Sequence, residues 1–415
     1  MKLISIATLL APFRVRSFRF QFPADLATSW GIEMENLVLG WYVLVATGSV
    51  LALTLFWALL YLGTLLAPGF GMVGDRIGHR AVLCGMRAAY ALIAGVMAAL
   101  AFSGFLRPEY VFAVATLSGL IRPSDMGMRN ALVAATMPAS TLMATMGVSR
   151  TTADSARIVG SLAGAGLFAA FGIGPAYIAI AAFYGAGFLL TLGVASGRAV
   201  VPSGTARQSP WRDLAEGLSY VWDTPASMAA MWLAFLVNLT AFPLTSGLLP
   251  YVARNVYHMD ETGLGTLIAS FAVGSLIGSV SVSVVGRRLR PARMMIRFAL
   301  GWYAALFVFV NLPDPVSGRL ALVFAGIAQS LSLVPMSVML LHGAGERFRG
   351  RVMGLRMLAI YGLPMGLMAG GWLIDRLGFV TATSLLFGVG LLLTLAIALR
   401  WRGDLWPREA AANAR

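Results

Sequence analysis

The chain has 415 residues, 59% of them hydrophobic and only 12% charged, with a mean hydropathy of +0.80. A soluble domain carries about a quarter charged residues and could not bury this much apolar surface, so a soluble enzyme or scaffold is excluded and lipid is the required solvent. The net charge of +14 lies largely in short segments between apolar runs, which speaks to membrane orientation and not to nucleic acid. The single Cys84 excludes an internal disulfide, and His79, His258 and His342 are too dispersed for a metal cluster, so neither metal nor cofactor is expected.

Residues 1–19 carry Lys2, Arg14, Arg16 and Arg19 around the apolar stretch Leu3–Ala11. No convincing small-residue cleavage site follows, so an amphipathic cytoplasmic leader is expected. A spanning helix needs about 20 predominantly apolar residues. Such runs fall near 22–46, 49–70, 81–103, 108–136, 141–171 and 175–196, then near 226–252, 263–285, 293–312, 318–341, 352–374 and 379–400. Twelve transmembrane helices are therefore predicted in an all-α integral membrane protein. Arginines cluster in the leader, at 76–87, 198–212, 287–297, 347–351 and 398–408. These are alternate loops plus both ends, which puts both termini in the cytoplasm, although Arg107, Arg254, Arg319 and Arg376 fall on the outer side.

Between the two sets of six lies a polar interval. The domains expected are an N-terminal bundle with its leader over 1–196, a cytoplasmic linker over 197–224, a C-terminal bundle over 225–401 and a cytoplasmic tail over 402–415. From Ser209 the linker places Trp211, Leu214, Leu218 and Val221 opposite Arg212, Asp213 and Glu216, the pattern of an amphipathic helix at a membrane surface. A shift of 206 residues lays Val148–Gly172 over Gly354–Gly378, matching Gly160 to Gly366, Gly164 to Gly370 and Gly172 to Gly378. That shift is close to half the chain, as a duplicated six-helix unit requires.

One loop interrupts the apolar pattern with a recognisable spacing. Gly71–Arg80 reads GMVGDRIGHR, a basic turn with one carboxylate. It resembles the signature loop of the major facilitator superfamily, with His79 where the family usually has Arg or Lys. WRDLAEGLSYVW in the linker and ERFRGRVMGLR at 346–356 resemble the branch that contains enterobactin exporters and macrolide-efflux proteins. The resemblance implies two pseudo-symmetric six-helix bundles around a central cavity lined by the first, fourth, seventh and tenth helices. It also implies a conformational latch of Gly71, Asp75, Arg76, Gly78, His79 and Arg80, in which Asp75 pairs with a cation, Arg129 being the expected one. Two departures stand out. Ser161 occupies the place of the proline found in many antiporters of the family, and Gly278–Arg288 repeats the loop's arginines without its aspartate.

An ionisable group inside a membrane span is costly unless paired or hydrated, which makes it a functional candidate. The first half holds Glu33 and Glu35 in the first span, Arg122, Asp125 and Arg129 in the fourth, and Arg150, Asp154 and Arg157 in the fifth; Asp25 is set aside as lying near the cytoplasmic end. Arg122, Asp125 and Arg129 share a helix face, as do Arg150, Asp154 and Arg157. Gln21, Ser29, Glu33, Asn36 and Gly40 form one stripe of the first span, and Glu35 points roughly 160° from Glu33. Two readings stand: a self-neutralising network that ties helices together, or a proton-exchanging site, with Glu33 first and Glu35 and Asp154 as rivals.

The second half has few such charges, chiefly Arg356. Its seventh and tenth spans offer Trp232, Asn238, Phe242, Gln329 and Met336, adaptable surfaces that with Asn36 and Arg356 form the expected substrate cavity. No nucleophile–base motif and no phosphate-binding loop of the P-loop kind is present, so neither a catalytic residue nor ATP-driven transport by this chain alone is expected. The expected function is proton-coupled export of a small amphipathic molecule, a drug, siderophore or lipid-like metabolite, by a monomer in contact with membrane lipids of the inner (plasma) membrane. The alternatives are import of a small metabolite and a non-transporting sensor or assembly factor on the same fold.

Overall fold

The computed structural model describes residues 11–138, 141–142, 145–146, 148–149, 155–195, 210–285, 290–343 and 345–406. Arg150 and Asp154 lie outside these residues, and so does the side chain of Asp75. Among the described residues every regular element is helical. In the first half these are α1 (Arg16–Thr47), α2 (Val50–Leu59), α3 (Ala67–Ile77), α4 (His79–Phe102), α5 (Pro108–Thr136), α6 (Ser161–Phe171) and α7 (Ile173–Leu192). Then follow α8 (Pro210–Asp223), α9 (Pro225–Thr240), α10 (Glu261–Val285), α11 (Pro291–Asn311), α12 (Pro315–Gly343), α13 (Gly345–Leu358), α14 (Gly362–Leu377) and α15 (Phe379–Arg400).

Eight described helical paths are long and apolar enough to cross a bilayer, including Pro225–Val256, which continues from α9, and Arg351–Leu377, which joins α13 to α14. α1 and α5 have the length, with 32 and 29 residues, but their charged side chains interrupt the apolar run. Val50–Thr64 and Ala156–Phe171 are apolar but shorter. The two long helices that miss this apolar threshold are thus the ones that carry most of the internal charges, Asp25, Glu33 and Glu35 on α1 and Arg122, Asp125 and Arg129 on α5. Lipid cannot hydrogen-bond a backbone, and helices satisfy it within the segment, which is why a chain of this composition folds this way.

Two compact units emerge. The first comprises Met1–Ala52, Leu59–Ser203 and His258–Ala269; the second comprises Leu53–Ala58, Gly204–Tyr257 and Ser270–Arg415. In the first, a Cβ on Gly160 would stand 3.1 Å from Glu33 Cβ, and one on Gly164 would stand 2.9 Å from Met34 Cα, so glycine lets α6 lie directly on α1. In the second, a Cβ on Gly366 would meet the Leu239 carbonyl carbon at 2.7 Å and Pro243 Cγ at 2.8 Å. Glu33 and Leu239 are 206 residues apart, as are Gly160 and Gly366. The internal repeat is therefore a repeat of contacts as well as of letters.

Gly172 and Gly378, also 206 apart, end α6 and α14 with φ of 79° and 78° and ψ of −175° and 164°. Only glycine adopts that region without strain, so both copies keep it at the same turn.

Candidate functional site

Four charged side chains meet at one end of the first unit. Asp25 on α1 accepts a hydrogen bond from Arg87 on α4, and Arg87 also donates to Thr191 Oγ1 on α7. On α5, Arg129 Nε lies 2.5 Å from Asp125 Oδ2 and 3.7 Å from Asp25 Oδ1. Arg129 Nη1 donates to Ser29 Oγ at 2.7 Å and to the Asp25 carbonyl at 3.2 Å, while Gln21 Nε2 donates to the Arg129 carbonyl at 3.1 Å. All four charged residues are buried, Arg87 completely. Two carboxylates and two guanidinium groups cancel, and in an apolar medium no ion stays charged at tolerable cost without such partners.

Nearer the middle of α1 lies a second cluster. Arg122 on α5 donates to Glu35 Oε2, and to Asn36 Oδ1 at 2.7 Å. Tyr184 on α7 donates to the same Glu35 oxygen at 2.7 Å, and its ring lies 5.4 Å from that of Tyr90 on α4. Glu35 is 2% exposed. One carboxylate, one guanidinium and one phenol thus close on each other, and α1, α5 and α7 are tied together at this level. Because partners of rising number on α1 meet partners of falling number on α5, the two helices run antiparallel.

Glu33 is placed differently. Its carboxylate lies 4.0 Å from Arg157 Nε, and the two side chains are 24% and 47% exposed. Arg157 sits in Ala156–Gly160, a π-helical turn ahead of α6. Such turns widen a helix locally and recur at functional sites. This pair is loose and partly exposed where the other two clusters are tight and largely buried.

The structure therefore brings together Glu35, Asn36 and Arg122, Asp125 and Arg129, and Glu33 and Arg157, but it does not gather Glu33 and Glu35 into one site. Arg122 is held by Glu35 and Asn36. The expected cation for Asp75, Arg129, is engaged by Asp125, Asp25 and Ser29. Sequence reasoning missed Asp25, Arg87, Tyr184 and Thr191. A signal existed for one of them, since Asp25 falls midway between Gln21 and Ser29 at spacings of four, on the stripe already drawn.

In the signature loop, Gly78 takes φ of 94° between α3 and α4, a conformation that only glycine holds without strain. Arg80 donates to the Leu192 carbonyl at the C-terminal end of α7, where a cation meets the negative end of the helix dipole. His79 is partly buried, with its ring near Gly74, while Arg76 is exposed beside an apolar groove of about 730 Å³.

The cavity residues expected in the second unit fall into several settings. Phe242 packs edge-on to the buried Trp302 at 5.0 Å. Asn238 donates to the Ala234 carbonyl of its own helix at 2.8 Å, and Gln329 accepts from Ser275 at 3.0 Å. Met336 is buried and Arg356 partly buried. Trp232 is instead exposed, on an apolar groove of about 390 Å³ between α9 and α15.

Residues 4–368 match the Major Facilitator Superfamily. Among characterised relatives, the chain is 26% identical over 194 residues to the multidrug efflux pump Tap of Mycolicibacterium fortuitum, covering 45% of each chain. It is 26% identical over 168 residues to the enterobactin exporter EntS of Escherichia coli O1:K1 / APEC, covering 40% of each. The chain thus spans less than half the length of the curated relatives it matches. Among solved structures, a D-xylose-proton symporter superposes with a TM-score of 0.70 at 15% identity, covering 92% of this chain and 96% of that one, a likeness of fold alone.

Proposed function

Because the chain belongs to the Major Facilitator Superfamily, and is a multi-pass membrane transporter on that account, we propose that it exports a small amphipathic molecule in exchange for protons by alternating access. The observation that carries the coupling is the contrast between Glu33 and Glu35. A proton carrier needs a carboxylate that water can reach and a cation whose distance can change. Burial raises the pKa of such an acid and an approaching arginine lowers it, so motion of the arginine becomes uptake or release of a proton. Glu33 meets both conditions, partly exposed and 4.0 Å from an arginine on a π-helical turn. Glu35 meets neither, since it is buried and Arg122 and Tyr184 hold it in place. Asp154, four residues before Ile158 on the same segment, remains the rival acid.

Export is favoured by the activities of two characterised relatives, an efflux pump and an exporter. The substrate class follows the same line: a drug, siderophore or lipid-like metabolite, received in the second unit by apolar and weakly polar side chains such as Asn238, Phe242 and Gln329. The Gly71–Arg80 loop acts as the latch, both termini and the 197–224 linker face the cytoplasm of the inner membrane, and the working unit is a monomer.

Purified protein in liposomes with an imposed pH gradient tests this reading, using a panel of fluorescent amphipathic dyes and catecholate siderophores. Uphill movement that collapses with the gradient supports it. Accumulation in the direction of proton flow indicates an importer, and binding without movement indicates a sensor on a transporter fold.

A further inference from the structure

We propose that the groove between α9 and α15 binds an anionic phospholipid, with an acyl chain between the helices and the phosphate on Arg400. The inference goes beyond the transport reading and does not depend on the direction of transport. Phe235 and Leu239 on one wall face Leu393 and Ile397 on the other, in a cleft of about 390 Å³ whose lining is apolar apart from its mouth. At the mouth stand Trp232, Arg400 and Trp401. Arg400 is the last residue of α15, and Trp232 lies seven residues into the neighbouring antiparallel helix, so the mouth is about 10 Å from the start of α9, at headgroup depth. Tryptophan and arginine are the residues that anchor a span at this level.

The charge at the mouth is uncommitted to protein. Arg400 is exposed and stacks over the Trp401 ring at 5.6 Å, and among the described residues no carboxylate pairs with it. Trp401 is in turn fixed by the turn that follows, whose Leu405 amide donates to the Trp401 carbonyl at 2.9 Å and whose Leu405 side chain is 1% exposed. The guanidinium is thus carried on a set platform above an apolar slot. Free phosphate would use only the first feature and a neutral lipid only the second; a lipid with a net-negative headgroup uses both. Arg400 also stands at a helix C-terminus, where it complements the dipole, and that role alone would be indifferent to lipid charge.

Thermal unfolding of the full chain in nanodiscs of phosphatidylcholine, with and without phosphatidylglycerol, separates these. The expected result is a higher Tm with phosphatidylglycerol, with at least half of that shift lost in Arg400→Gln and in Ala396→Trp, which fills the cleft. The matched control is Arg376→Gln, because Arg376 stacks over Trp372 at 5.6 Å at the far end of α14, and it should keep the shift. Native mass spectrometry should show one fewer retained phosphatidylglycerol on Arg400→Gln than on the parent, a readout that stands if the tryptophan variant fails to fold. An undiminished shift in Arg400→Gln, an equal loss in Arg376→Gln, or an unchanged lipid count overturns the proposal. Loss in Arg400→Gln with full retention in a folded Ala396→Trp overturns the acyl slot and leaves surface attraction alone.

Discussion

Glu33 and Arg157 stand 4.0 Å apart with both side chains partly exposed, while Glu35, two positions further along the same helix, is closed in by Arg122 and Tyr184. The difference follows from helix geometry. A two-residue step turns a side chain by roughly 160° as measured the short way, so one carboxylate enters the packed seam of α1, α5 and α7 and the other leaves it. One acid is packed inside the bundle, and the other stays partly exposed.

The Asp25–Arg87 pair should behave as a structural unit. Asp25→Asn leaves the fully buried Arg87 without its carboxylate and is expected to cost about 3–5 kcal/mol, as breaking a buried pair does. The double variant Asp25→Asn/Arg87→Gln should be more stable than either single one, because no uncompensated charge is left. Thermal unfolding in detergent measures both. Single variants as stable as the parent would show that the pair is not what holds α1 to α4.

Tyr184→Phe removes a 2.7 Å hydrogen bond to the buried carboxylate that pairs with Arg122, without changing shape. The expected loss is about 1.5–3 kcal/mol, the range for bonds to charged groups. Coupling to the pH gradient should survive, since Glu33 is untouched.

The linker helix α8 docks on α13 through Gly217, where a Cβ would lie 3.0 Å from Arg351 Cβ and 3.2 Å from Leu355 Cδ1. Gly217→Leu should lift α8 and speed hydrogen exchange across Pro210–Asp223. Glu216→Gln should do far less: the Arg351–Glu216 contact at 2.7 Å is partly solvated, and such pairs contribute about 0–1 kcal/mol. Equal effects would assign the docking to charge and not to fit.

Asp314 precedes α12 and accepts hydrogen bonds from the Ser317 amide at 2.7 Å and the Val316 amide at 3.2 Å. These bonds, Ser317 first, hold its carboxyl below the usual range. A lowered folded pKa means stability that is present above the unfolded pKa and lost as pH falls through the folded one. Asp314→Ala should therefore lower Tm at neutral pH, with the gap closing as the solution is acidified below the ordinary carboxylate range. A gap independent of pH would remove the capping carboxylate from the account.

Much of the fold was legible because membrane composition leaves few alternatives: apolar runs, alternating arginine clusters and a 206-residue shift already describe a duplicated helical bundle. The site was legible only by face. Spacing placed Arg122, Asp125 and Arg129 on one side of a helix, but not which neighbour lies opposite at each height, and the structure splits them between Glu35 and Asp25. Asp25 and Arg87 were passed over for a related reason. Hydropathy marks where lipid begins, near residues 22 and 81, whereas α1 starts at Arg16 and places Asp25 nine residues inside, and α4 starts at His79 and places Arg87 eight residues inside. Helix ends that leave the apolar run still pack on one another. The π-helical turn at Arg157 has no local sequence signature and emerged only from the backbone.

The central claim is that Glu33 carries the coupling proton, and transport in proteoliposomes tests it by comparing Glu33→Gln, Glu35→Gln and the parent, with and without a pH gradient. Glu33→Gln should abolish gradient-driven accumulation while leaving downhill exchange measurable, and Glu35→Gln should lose stability but keep its response to the gradient. Full gradient-driven accumulation by Glu33→Gln, with loss in Glu35→Gln, would contradict the assignment.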